Sequence, residues 1–159
     1  MLKKQTTNIT FDPSFVKKQR IAIIRTDYHE KEVSCLGDYA AKALEEYGVP
    51  KKNIKTFVAP GSWELPLLAE RIAESEKFDA IITFGIIVKG ETYHFEMLAN
   101  EVGRALMDVS LDYGLPVAME VLAVYDMQHA IERSSPNDKN KGIEAATAVL
   151  KELKVLDQV

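Results

Sequence analysis

AIITFGIIVKGETYHFEMLANE, residues 80–101, is the stretch on which the rest of the chain is organised. Its first nine residues, Ala80 to Val88, are almost unbroken apolar and β-branched, the composition of a strand covered by helices on both faces. The apolar run stops at Lys89 and Gly90. From Thr92 onward the residues suit a helix, with Tyr93, Met97, Val102 and Leu106 among its apolar positions and Glu96, Asn100 and Arg104 among its polar ones. This reading predicts a central parallel strand, a tight turn at 89–93 and a helix. A helix start presents unpaired backbone N–H groups and the positive end of a macrodipole, so it attracts anions, phosphates above all. His94 falls in that first turn, where partial positive charge disfavours imidazolium and favours the neutral ring a general base needs. A polar turn is also the ordinary link between a buried strand and its helix, and a lone histidine there can be an exposed or capping residue. The turn is not a P-loop, lacking GxxxxGK(S/T), and His94-Phe95-Glu96 is not the HExxH zinc motif.

The surrounding chain narrows the choice. At 159 residues, 47% hydrophobic and 28% charged, it suits one domain with a full core. Residues 1–18 read as a polar N-terminal arm and 19–159 as the domain. A net charge of −4 with scattered basic residues gives no footprint for nucleic acid or an anionic membrane. The first residues lack a signal peptide's apolar core and no apolar run is long enough to cross a bilayer, so the expected location is cytoplasmic. A single cysteine, Cys35, excludes an intramolecular disulfide and a multi-cysteine metal site, and reads as a small core residue.

Taken in order, residues 8–11 read as a short strand that either pairs with a neighbouring chain or stays disordered. Residues 20–25 are a buried strand, 30–47 an amphipathic helix stopped by Gly48, and 53–58 the next strand. A helix follows to about residue 75, with Pro66 in its opening turn. After the central strand and its helix, Gly114-Leu115-Pro116 is a stop. Then come a strand at 117–124, a short helix at 127–132, a polar break at 133–140 and a last helix at 141–153. Alternation of this kind predicts a parallel sheet in a three-layer α/β/α sandwich with four strands.

Ligands of an open parallel sheet bind beyond the carboxyl ends of the strands. Those ends carry Asp27-Tyr28-His29, Ser62-Trp63-Glu64, the stretch from Lys89 to His94, and Val124-Tyr125-Asp126. Aromatics, a carboxylate, a base and an anion seat on one rim suit a flat polar heterocycle, a hydroxylated chain and a phosphate.

Four ordered motifs, APGSWELP (residues 59–66), GIIVKGETYH (85–94), AIER (130–133) and NKG (140–142), resemble those of the 6,7-dimethyl-8-ribityllumazine synthase family of riboflavin biosynthesis. The resemblance runs from about Arg20 to Leu153. It implies a flavodoxin-like fold and a transferase that condenses 5-amino-6-(D-ribitylamino)uracil with 3,4-dihydroxy-2-butanone 4-phosphate, without cofactor, metal or redox step. By the family's pattern His94 transfers protons, and Glu91, Thr92 and Arg133 hold the phosphate. The same pattern sets Ser62, Trp63, Glu64, Ile86, Ile87 and Val88 against the ribityl chain and pyrimidine edge. Tyr28 and Met119 take ring-stacking positions and Lys141 lies near the pyrimidine. The resemblance further implies pentamers with sites shared between subunits, Met119 and Arg133 serving the neighbour's pocket, with riboflavin synthase as a candidate partner. Pro136 favours a pentamer or decamer over a sixty-subunit shell.

Read without the family, Arg133 is a helix-end cation satisfying its own last carbonyls, Trp63 is core packing, and Glu64 is a charge favoured at a helix start. Lys141 is disfavoured by the dipole near a helix start, which hints at a ligand. The chain also departs from the family. Tyr28-His29 stands where Phe then Asn is usual, Met119 where an aromatic is usual, and Glu120-Val121-Leu122-Ala123 where the pattern resembles Gly-Val-Leu-Thr. Tyr28 keeps a π face and the Met119 sulfur can press on a ring. These departures motivate two alternatives: a ribityl-pterin or flavin-binding paralogue without turnover, and a shell-forming protein with a vestigial site.

Overall fold

The computed structural model describes residues 9–159. Strands β1 (Ile21–Thr26), β2 (Ile54–Ala59), β3 (Ala80–Val88) and β4 (Val117–Val124) form one sheet in the order β2-β1-β3-β4, with every neighbouring pair parallel. The helices are α1 (Pro13–Val16), α2 (Glu30–Glu46), α3 (Leu65–Glu74), α4 (His94–Tyr113), α5 (Met127–Ser134) and α6 (Lys141–Leu156). The expected α/β sandwich with a four-stranded parallel sheet is therefore the observed one, and β3 lies inside it.

Side-chain alternation explains why the central strands are apolar throughout. Ile21 and Ile23 of β1, with Ile82, Phe84 and Ile86 of β3, pack under Val33, Leu36, Ala40 and Leu44 of α2 and Ala146, Val149 and Leu150 of α6. Their neighbours Ala22, Ile24 and Ile81 face the other way, against Leu65, Ala69 and Ile72 of α3 and Val102, Leu106 and Val109 of α4. Each face of the sheet thus has its own core, and no position of β3 short of its last residue is left to solvent.

Beyond shifts of one or two residues at other element ends, three features differ from the sequence reading. Ile9 to Phe11 form no strand, and Asn8 lies outside the described residues. The Phe11 ring instead meets Tyr47 edge to face at 5.2 Å, and Asp12 caps α1, which buries Val16 in the first core. Helix α5 runs on through Ser134, so Arg133 is in its last turn rather than in a polar break. The Ser134 hydroxyl donates to the Ala130 carbonyl at 2.8 Å and the Ser135 hydroxyl to that of Ile131 at 2.6 Å, satisfying carbonyls that a helix end leaves free. Helix α6 likewise continues three residues past Leu153, to Leu156.

Candidate active site

The register of the sheet opens a crevice. Pairing of β1 with β3 stops at Arg25 and Phe84, whereas pairing of β3 with β4 continues to Val88. The N–H groups of Ile81 and Lys89 donate to β4-side carbonyls, those of Pro116 and Val124, so odd-numbered backbone groups of β3 face β4 and even-numbered ones face β1. Past Phe84, the Ile86 carbonyl and the Val88 N–H point to the β1 side, where no strand meets them among the described residues. The side chains of Ile86 and Ile87 are buried, so these residues offer a ligand peptide groups rather than side chains. The crevice lies between β1 and β3, where the strand order reverses, the place at which open α/β sheets bind ligands.

Two turns flank it. After β1, the buried Thr26 hydroxyl donates to the Tyr28 carbonyl at 3.0 Å, and the chain turns through His29, whose φ of 57° is left-handed. Asn enters that conformation more readily than most residues, which gives a backbone reason for the Asn usual in the family here. The Tyr28 ring is 67% exposed and touches the His29 ring edge to face at 4.6 Å. After β2, residues 62–64 form a single 3₁₀ turn that leads into α3. Its Ser62 is buried against β3 at Gly85, where an added Cβ would stand 2.7 Å from the Ser62 Oγ. Only glycine lets this turn come so close to the crevice wall. Trp63 is 57% exposed, so it is not the core residue that composition alone allows, and Glu64 is exposed beside it.

The third turn, after β3, carries Gly90, Glu91, Thr92 and Tyr93, all exposed, and leads into α4 with His94 as its first residue. Tyr93 caps α4 with no side-chain hydrogen bond, so the free amides of this twenty-residue helix remain available. The same holds for α2, which follows His29. Helix α3, which follows Glu64, also lacks a side-chain cap, but its Leu65 N–H donates to the Ser62 carbonyl and its Pro66 has no N–H. Side chains of Asp12, Asp126 and Asn140 cap α1, α5 and α6. His94 is exposed, and its imidazole has no protein hydrogen bond among the described residues. The turn is spanned by an ion pair that sequence reasoning missed, between Lys89 and Glu96. No local spacing rule joins residues seven apart across a turn, so only the fold could reveal it.

Three of the expected site residues are not brought to this rim by their own chain. Met119 is five residues short of the end of β4, about 17 Å from the edge, and is 50% exposed. Arg133 donates to the His129 carbonyl at 2.9 Å in its own helix, and no ion pair joins it to Glu91 among the described residues. Lys141, the first residue of α6, meets Glu144 at 2.7 Å. Both cations flank the α5–α6 corner, which Asn140 locks. Asn140 is 2% exposed; its Nδ2 donates to the Ser134 carbonyl at 2.8 Å and the Ser135 carbonyl at 3.0 Å, while its Oδ1 accepts from the Gly142 N–H at 2.8 Å. Gly142 presses on α2 so closely that a Cβ would fall 2.1 Å from the Leu36 carbonyl oxygen. Leu36 is six residues into α2, about 9 Å from the start of that helix.

An open parallel sheet whose strand order reverses between β1 and β3, edged there by helix starts and exposed aromatics, defines the class of α/β protein in which ligands are bound beyond the carboxyl ends of the strands. No helix of the described residues is long and apolar enough to cross a membrane, and no cluster of metal-ligating side chains occurs among them. The family model for 6,7-dimethyl-8-ribityllumazine synthase matches residues 18–157, and the chain belongs to that family, whose members are transferases of riboflavin biosynthesis.

Proposed function

We propose that this chain condenses 5-amino-6-(D-ribitylamino)uracil with 3,4-dihydroxy-2-butanone 4-phosphate to 6,7-dimethyl-8-ribityllumazine, releasing phosphate and water. The observation that carries the reading is the uncapped start of α4, with His94 as its first residue, beside a crevice where β3 outruns β1. The 5-amino group adds to the ketone with loss of water, phosphate leaves by elimination, and the ribitylamino nitrogen closes the ring with loss of a second water. These steps need protons moved and a leaving anion stabilised. His94 moves the protons. The amides of the 91–94 turn receive the phosphate, with Glu91 and Thr92 lining it. The peptide groups of Ile86, Ile87 and Val88 align the pyrimidine edge, and Ser62, Trp63 and Glu64 meet the ribityl chain. Tyr28 stacks on the ring. Holding two substrates in register accounts for much of the acceleration.

The positions of Met119, Arg133 and Lys141 away from their own rim support a site completed by an adjacent copy, whose Arg133 guanidinium grips the phosphate bidentately. Tyr93, which caps α4, and Met97, Met107 and Leu111 within it are exposed along one stripe, and β4 is an edge strand on which Met119 is exposed. Such surfaces are usual where copies meet. The assembly proposed is a pentamer or decamer, in the cytoplasm, with riboflavin synthase as a candidate consumer of the product.

Mixing the purified protein with both substrates and following lumazine absorbance tests the reading. Turnover should fall about 10²- to 10⁴-fold in His94→Ala and sharply in Arg133→Ala, with sedimentation unchanged. Tight pterin or flavin binding without turnover would instead support a binding paralogue, for which the Tyr28–His29 ring contact is the motivating feature.

A further inference from the structure

We propose that Lys89 acts as the fixed counter-ion of Glu96, keeping that carboxylate from repelling the anion received by the neighbouring turn; the inference rests on the phosphate reading of that turn. Glu96 is the third residue of α4, two positions beyond His94. A carboxylate there is favourable to an empty helix start, because it satisfies the same partial positive charge that an incoming phosphate would use. With the phosphate bound, the two negative charges compete for one helix end. Some neighbouring cation has to cancel the side chain's charge.

Lys89 is placed to do so. Its backbone N–H donates to the Val124 carbonyl at 2.8 Å, so the sheet, and not the turn, sets its position. Its ammonium meets the Glu96 Oε1 and lies 5.3 Å from the centre of the Phe95 ring, which in turn leans on Tyr125 at 6.0 Å. The second oxygen of Glu96, Oε2, is buried without a hydrogen-bond partner among the described residues. That oxygen is shut off from water although the side chain as a whole is 35% exposed, so removing its one partner would leave the charge only partly compensated. Lys89 and Glu96 are positioning residues in this account: neither touches substrate.

The test is calorimetric titration of inorganic phosphate into the native protein, Lys89→Met, Glu96→Gln and the double variant, with KM measured for each substrate. Lys89→Met should weaken phosphate binding about tenfold or more. Glu96→Gln should bind phosphate at least as tightly as the native protein. The double variant should return to within about threefold of native affinity. KM for the phosphate-bearing substrate should follow this order, while KM for the uncharged ribitylaminouracil stays level. Rescue by Glu96→Gln is the readout that a merely structural role would not produce. If Glu96→Gln weakens phosphate as Lys89→Met does, the pair is a geometric clasp and the proposal fails. If the double variant stays as weak as Lys89→Met, the ammonium contacts phosphate directly and the proposal again fails. Should Lys89→Met not fold, Lys89→Gln takes its place, alone and combined with Glu96→Gln, with the same expected loss and the same rescue. A native protein that binds no phosphate and makes no lumazine overturns the functional reading itself, a result distinguishable from either failure above.

Discussion

At the crevice, α2 and α4 begin without a side chain on their free amides, aromatic rings face solvent, and β3 carries backbone groups that no strand meets among the described residues. At the α5–α6 corner, some way round the molecule, the reverse holds. Asn140 uses both ends of its amide on backbone groups, Ser134 and Ser135 close the preceding helix, and Gly142 lies against α2 with no room for a methyl group. Both regions come from short polar stretches, those of the crevice carrying Tyr28, Trp63 and Tyr93 besides. The contrast shows that polarity alone does not mark a binding site; what marks it is whether the chain satisfies its own polar groups. The corner is finished by the chain itself and can therefore hold Arg133 and Lys141 in place. The crevice is left unfinished, and a ligand can finish it.

Substitutions should separate these two kinds of polar region. Gly142→Ala places a methyl against backbone of α2 that cannot move aside, and should cost about 3 kcal/mol or more, read as lost thermal stability or failure to fold. Asn140→Ala leaves two carbonyls and the Gly142 amide without their partner and should cost about 2–3 kcal/mol. Burial raises the pKa of the Cys35 thiol, so that thiol should react slowly in the native protein. The Asn140 amide, donating to its sulfur at 3.7 Å, opposes that rise, so a faster reaction in the variant would come from opening of the corner and not from the lost hydrogen bond. If Cys35 is equally reactive in both, the corner is not the closed region described. Gly85→Ala should cost only about 1–2 kcal/mol, because the Ser62 hydroxyl can shift, yet it should lower kcat/KM about tenfold by displacing the 62–64 turn. Equal loss of stability and activity would count against the crevice reading. His29→Asn, which suits the left-handed backbone better, should raise stability by about 0.5 kcal/mol or less. No gain there would mean that the ring contact with Tyr28 offsets the strain.

Much of the fold was legible because β1 and β3 are apolar on both faces, and the alternation of strand and helix patterns then requires a parallel sheet. The helix end at Ser134 was not, since Arg133, Ser134 and Ser135 have loop composition and only their bonds back to the helix reveal its continuation. The residues at 9–11 have strand composition but meet no sheet edge, and Phe11 takes an aromatic contact instead. Candidate site residues at strand ends could be assigned to one rim because parallel strands all finish on one side. Met119, Arg133 and Lys141 could not be so assigned: one lies mid-strand, and the other two flank a corner whose position depends on contacts with α2. The Lys89–Glu96 pair and the closeness of Gly85 to Ser62 are tertiary facts with no local signature.

The four-residue overhang of β3 carries an evolutionary consequence. If the proposed pyrimidine contact is made there, recognition through a carbonyl and an amide of the main chain is indifferent to side-chain identity, so residues 86–88 can vary among β-forming hydrophobes without altering which edge is read. Selectivity written in the main chain is hard to lose by point mutation, and correspondingly hard to redirect toward another substrate except by changing where the strand ends.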